Sequence, residues 1–191
     1  MYAIGLFNFR INCCKKQRLK WKYISIGEYM IIYTDGSCRK NGKESNQGGF
    51  GVVVLDNNEN LIYNYSKSCE NTTNNREEIK AILYSFFKYG VNINKEEFTN
   101  DIPIVYSDSN YCVQTFNQWM FNWAQNNWIK SDKKQPENLD LIQAYYDWYQ
   151  KGYRIDLRKV KAHTGQKDFN YYADMLATGK MSSEEVNKIN G

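Results

Sequence analysis

The sequence predicts an α/β domain with one mixed five-stranded sheet flanked by helices. Three observations lead there. Short runs rich in β-forming residues recur at 30–34, 50–55, 61–68, 102–107 and 154–160, most of them bounded by turn residues. Several of the stretches between and after them carry apolar residues at helical spacing. The resulting order, β-β-β-α-β-α-α-β-α, combines hairpin strands with crossover helices, which calls for one mixed sheet covered by helices.

Each element has its own signal. The run 30–34 breaks at Asp35-Gly36-Ser37, and the polar, Gly-rich stretch 40–49 reads as a loop. Phe50-Gly51-Val52-Val53-Val54-Leu55 is a second strand, turned back by Asp56-Asn57-Asn58 into an alternating third strand at 61–68. Thr72 or Thr73 can cap the helix that follows. In that helix Ile79, Ile82, Leu83 and Phe86 fall at i, i+3, i+4 and i+7, and Gly90 ends it. After a linker at 92–101, the strand 102–107 ends on Asp108-Ser109. Residues 109–122 and 139–150 read as helices, 154–160 as the fifth strand, 163–170 as a loop and 171–178 as the last helix.

The chain of 191 residues suggests one domain, at 30–180, between a basic extension at 1–29 and a tail at 181–191. Hydrophobic residues make up 42% and aromatics 16%, enough for a sizeable core, and no apolar run is long enough to span a membrane. The five cysteines show no C-x-x-C spacing, which signals neither a zinc site nor a disulfide framework, and free thiols fit a reducing, intracellular compartment. The formal net charge of +4 is uneven. Residues 1–29 hold six basic residues against Glu28 alone, so the rest sums to about −1. The extension reads as a flexible segment or a nucleic-acid-binding arm, with organelle targeting a weaker reading. A body without positive charge needs local cations or metal ions to approach phosphate.

Four acids carry the chemistry. Asp35 and Asp108 each follow a strand of similar length, so neighbouring strands would project both from one edge of the sheet. Glu78 and Asp174 lie in helical segments. Carboxylates brought together repel, and some stay protonated unless cations neutralise them. Hard oxygen ligands suit Mg²⁺ or Mn²⁺, and two such ions can support an in-line phosphoryl displacement. His163, the only histidine, lies at a strand-to-loop junction, where it can carry a proton.

With these segments in order, residues 30–180 resemble the type 1 ribonuclease H family. Thr34-Asp35-Gly36-Ser37 looks like its first catalytic strand, Thr72-Thr73-Asn74-Asn75-Arg76-Glu77-Glu78 like its Thr-Thr-Asn-Asn-Arg-x-Glu helix start, and Ser107-Asp108-Ser109 like its Thr-Asp-Ser. Lys161-Ala162-His163-Thr164-Gly165 looks like its Gly-His-x-Gly loop, and Asn170 with Asp174 keeps its Asn-x-x-x-Asp spacing. Each motif alone is weak; all of them in this order are specific. The resemblance implies a ribonuclease H-like fold, with the fourth and fifth strands parallel to the first. It also implies a monomeric endonuclease that cuts the RNA strand of RNA–DNA hybrids with two Mg²⁺ ions, leaving 5′-phosphate and 3′-hydroxyl ends. Asp35, Glu78, Asp108 and Asp174 would be the metal ligands, with His163 as a mobile helper.

Substrate contacts carry over in the same way. Tyr111, Trp119, Trp123 and Ser131 would line a channel for the DNA strand. Thr73 and Asn138 match a DNA-phosphate pocket, while Asn74, Asn75 and Asn110 match groups that read the minor groove. Backbone around Gly36 and Ser37 would meet RNA 2′-hydroxyls. The chain departs from the family in three places. Ala124-Gln125-Asn126-Asn127 replaces a basic stretch in the DNA-gripping handle, Asn71 stands where some members have an arginine, and the His163 loop is one residue longer than in bacterial members. The first departure predicts weaker hybrid affinity and a shallower salt dependence, unless the basic extension compensates.

Three rivals share parts of this pattern. Integrases, resolvases and reverse-transcriptase domains have the carboxylates, but are not expected to keep the Thr-Thr-Asn-Asn-Arg-x-Glu and tryptophan segments together. A noncatalytic nucleic-acid-binding module is expected to lack a carboxylate. A structural metal-binding protein needs no aromatic channel.

Overall fold

The computed structural model describes residues 29–40, 46–94, 102–161 and 167–190. Its centre is a hairpin. Strand β1 (Ile31–Arg39) runs antiparallel to β2 (Gln47–Leu55), and β2 runs antiparallel to β3 (Leu61–Glu70). The β2–β3 turn is tied by Asp56, whose carboxylate accepts from the backbone N–H groups of Asn58 and Asn60 at 2.9 and 2.8 Å. Two further strands, β5 (Ile104–Ser107) and β7 (Asp156–Lys159), lie parallel to β1 in the order β3-β2-β1-β5-β7. The expected mixed five-stranded sheet and its strand senses are therefore present. The short strands β4 (Val91–Asn92) and β6 (Tyr153–Arg154) form a separate two-stranded ladder.

Helices cover both faces. On one side lie α1 (Asn74–Tyr89), α2 (Asn110–Gln114), a π-helical turn (Thr115–Trp119), α3 (Met120–Gln125) and α4 (Leu139–Gln150). Ile32, Val52 and Val105 from the sheet meet Ile79, Ile82, Phe86, Phe116, Met120 and Ile142 from this layer. Tyr145 is stacked between Phe86 and Phe116, with ring centroids 4.1 and 4.2 Å away. Such contacts add about 1 kcal/mol each beyond the apolar area they bury. The other face is covered by α5 (Phe169–Ala177) and α6 (Ser183–Asn190), around Val53, Leu55, Ala173, Leu176 and Val186.

Three differences from the boundaries read in the sequence matter most. The first strand does not stop before Asp35 but continues to Arg39, because Gly48 and Gly49 extend the hairpin register past the acid. The helix expected over 109–122 is interrupted by the π turn and runs on to Gln125. Residues 183–190, read above as part of a tail, form α6. Its Val186 is buried and its Asn187 Oδ1 accepts from Asn64 on β3 at 2.7 Å.

Candidate active site

The parallel β1–β5 ladder runs from Ile31 opposite Ile104 to Thr34 opposite Ser107. Asp35 and Asp108 are the next residue on each strand, so they leave the ladder side by side. The junction is stitched just before them, where buried Thr34 donates its hydroxyl to the Tyr106 carbonyl at 2.9 Å. Beyond Asp108, Ser109 caps α2 and accepts from the Cys112 N–H.

Two glycines let helices bring the remaining acids in. A Cβ on Gly36 would lie 2.0 Å from the Glu78 nitrogen, so α1 rests against bare backbone immediately after Asp35. A Cβ on Gly51, the register partner of Asp35, would lie 2.2 Å from the Ala173 carbonyl oxygen of α5. Glu78 thus arrives over one face of the sheet and Asp174 over the other. The first turn of α1 is fixed by Thr73, whose hydroxyl accepts from the Arg76 N–H at 3.2 Å, which resolves the choice between the two threonines. Glu77 is engaged elsewhere. It is fully buried, and its Oε1 accepts from Thr72 and Lys80, both at 2.5 Å.

Carboxylate oxygens of Asp35, Glu78 and Asp108 lie within 4.8 Å of one another. Asp174 lies outside that tight group, but its charge acts on Asp35. Asp35 is 8% exposed and Glu78 9%. Burial, then the charges of Asp108 and Asp174, push the Asp35 carboxyl up to about 8. Glu78 is raised well above the usual carboxylate range by burial, then by Asp35 and Asp108, against the opposing effects of the Gly36 amide and the Lys159 ammonium. The Glu78 Oε2 atom is buried with no hydrogen-bond partner among the described residues. Converging hard oxygen donors and an unsatisfied buried carboxylate oxygen fit a divalent cation such as Mg²⁺ or Mn²⁺.

The expected substrate-contacting residues fall into several groups. Thr73, Asn74 and Asn75 lie at the start of α1, Gly36 and Ser37 on β1 beneath it, and Asn110 is exposed at the start of α2. Asn138 has a left-handed backbone and accepts from Arg76 at 3.3 Å, joining the two ends of the expected phosphate pocket. Tyr111, Trp119 and Trp123 form a continuous aromatic run with centroid spacings of 6.2 and 5.9 Å. Trp128 instead packs edge-on to Tyr146, and Ser131 is exposed in the turn beyond it. His163 and nearly all of the basic extension lie outside the described residues.

Two features of this surface are not apparent in the sequence. Arg76 forms an ion pair with Asp140 at 2.6 Å, and Lys159 reaches the Asp108 carbonyl. The first joins residues 64 positions apart, which no local pattern reveals. The second follows from register, since parallel pairing sets Lys159 opposite Ser107, next to Asp108.

A five-stranded mixed sheet with an acidic cluster at the mouth of its parallel strands defines a nuclease-like α/β enzyme. The RNase H family model matches residues 27–182, and the chain belongs to that family. Its enzyme class is accordingly endoribonuclease hydrolase. A protein named ribonuclease H from Clostridium botulinum (strain Hall) is 32% identical over 158 residues, spanning 82% of this chain and 98% of its own. The crystal structure of LC9-RNase H1, described as a type 1 RNase H with the type 2 active-site motif, superposes with a TM-score of 0.62. It is 29% identical, over 79% of this chain and 71% of that one. The foamy viral protease-reverse transcriptase, solved with an RNA/DNA hybrid, has a TM-score of 0.66 at 21% identity, over 83% of this chain and 21% of that one, and supports the fold alone.

Proposed function

We propose that this endoribonuclease cuts the RNA strand of RNA–DNA hybrids with two divalent metal ions, leaving 5′-phosphate and 3′-hydroxyl ends. The observation that carries the reading is the convergence of Asp35, Glu78 and Asp108 oxygens within 4.8 Å, with Glu78 Oε2 left unsatisfied. Asp35, Glu78, Asp108 and Asp174 would hold the ions. When bound, the ions supply Lewis acidity for the scissile phosphate and lower the pKa of the attacking water.

The chain's own groups set the rest. Gly36 and Ser37 present the β1 backbone to the RNA strand beside the cluster, where 2′-hydroxyls distinguish RNA from DNA. The aromatic run of Tyr111, Trp119 and Trp123 gives the DNA strand a face suited to deoxyribose, which lacks that hydroxyl. Thr73 and Asn138, linked through Arg76, bind a DNA phosphate away from the cluster. His163 assists proton transfer or product departure.

The test is cleavage of a labelled RNA–DNA hybrid beside single-stranded RNA, duplex RNA and duplex DNA, with the product ends identified. Cleavage confined to the RNA of the hybrid, giving 5′-phosphates, is expected. Cleavage of duplex DNA would move the protein to the integrase or resolvase branch. Binding without cleavage in Mg²⁺ or Mn²⁺ would leave a binding module.

A further inference from the structure

We propose that Lys159 is a phosphate-binding residue of the reaction centre, its ammonium contacting the reacting RNA strand beside Asp108. The proposal rests on the reading of the carboxylates as catalytic. Lys159 is the last residue of β7 and pairs with Ser107, the residue before Asp108. Across the sheet edge the order is therefore Asp35, Asp108, Lys159, with Glu78 above the first two. Lys159 is exposed, and its Nζ donates to the Asp108 carbonyl, a backbone acceptor. An ammonium carries three donors, so two remain for another acceptor.

The charges around it make this position informative. Arg76 is paired with Asp140, Lys80 with Glu77, Lys130 with Asp132 and Arg158 with Asp156. Lys159 stands next to the acidic cluster, yet among the described residues no carboxylate lies within ion-pair distance of it. The handle stretch Ala124-Gln125-Asn126-Asn127 supplies no cation. A strand phosphate held at the cluster would meet the Lys159 ammonium on the β7 side, and a charge-assisted bond there strengthens as negative charge develops on the phosphate. The competing role is a simple counter-charge for the carboxylates. That role would alter Mg²⁺ binding and leave the rate at saturating Mg²⁺ unchanged.

The test compares wild type with Lys159→Gln and Lys159→Arg. Single-turnover cleavage of a labelled hybrid is measured at saturating Mg²⁺, Mg²⁺ binding to the protein alone by calorimetry, and thermal unfolding in parallel. The glutamine variant should cut roughly 10- to 100-fold more slowly, less than the loss for a fully buried donor. It should bind Mg²⁺ at least as tightly as wild type and unfold within about 2 °C of it. The arginine variant should recover most of the rate. An unchanged rate in Lys159→Gln overturns the proposal. So does a loss accompanied by weaker Mg²⁺ binding or lower stability, or an arginine variant no faster than the glutamine one. Wild type that fails to cut the hybrid at all overturns the functional reading itself, which is seen before any variant is compared.

Discussion

Replacing Asp35 with asparagine should stabilise the metal-free protein while destroying its activity. Oxygens of Asp35, Glu78 and Asp108 lie within 4.8 Å of one another. Two unit charges at that spacing repel by about 3 kcal/mol at an effective dielectric near 20. Burial adds to the cost, and Asp35 consequently holds its proton up to about pH 8, against 3.8 for a free aspartate. Between those values the folded state binds more protons than the unfolded chain, so stability falls as pH rises through the window. Below about pH 4 both states are protonated and the penalty is absent; above about pH 8 it is complete. The asparagine variant removes one charge and with it Asp35's share of the pH dependence, while the buried Glu78 keeps its own. Thermal unfolding in EDTA should therefore show little difference between the proteins at pH 4.5. At pH 8.5 the variant should be more stable by at least about 3 kcal/mol, or at least about 6 °C for a chain of this size. Saturating Mg²⁺ at pH 8.5 should reverse the order, because it binds the wild-type fold and releases protons from it. A variant that melts at or below wild type at both pH values in EDTA would show that the carboxylates do not repel in the folded state.

Two further outcomes follow from the packing. Gly36→Ala should cost at least about 2 kcal/mol and abolish cleavage, because the new methyl would lie 2.0 Å from the Glu78 nitrogen and push α1 off β1; denaturant unfolding and a hybrid cleavage assay check both parts. Trp119→Ala should weaken hybrid binding by about 1–2 kcal/mol through loss of the middle ring of the aromatic run, with little change in rate at saturating hybrid, as measured by fluorescence anisotropy in Ca²⁺ and by kinetics.

The strands and the main amphipathic helix are legible from local patterns, because period-2 and period-3.6 alternation reflect which face each element buries, while the choice of Glu78 over Glu77 comes from the family's motif and not from periodicity. The continuation of β1 past Asp35 is not, since it depends on Gly48 and Gly49 forming a partner strand across a loop. The π turn at Thr115–Trp119 leaves no trace in an apolar pattern that reads equally well as an unbroken helix. In the sequence Gly36 reads as a break after Asp35 and Gly51 as one residue of the second strand. Their function as seats for α1 and α5 appears only once both helices lie on the sheet. The Arg76–Asp140 and Lys80–Glu77 pairs show the same divide. The second is an i,i+3 helix contact that spacing permits, while the first joins α1 to α4 and needs the tertiary fold.

The most direct test of the account is Mg²⁺-dependent cleavage of an RNA–DNA hybrid by wild type and by Asp108→Asn, which keeps the side chain's shape and removes one ligand charge. Wild type should cut only the RNA strand and lose all activity in EDTA. The variant should fold as well as wild type in EDTA and cut at least about 1,000-fold more slowly in Mg²⁺. A folded Asp108→Asn protein that cuts the hybrid at the wild-type rate would contradict the assignment of the cluster as the catalytic centre.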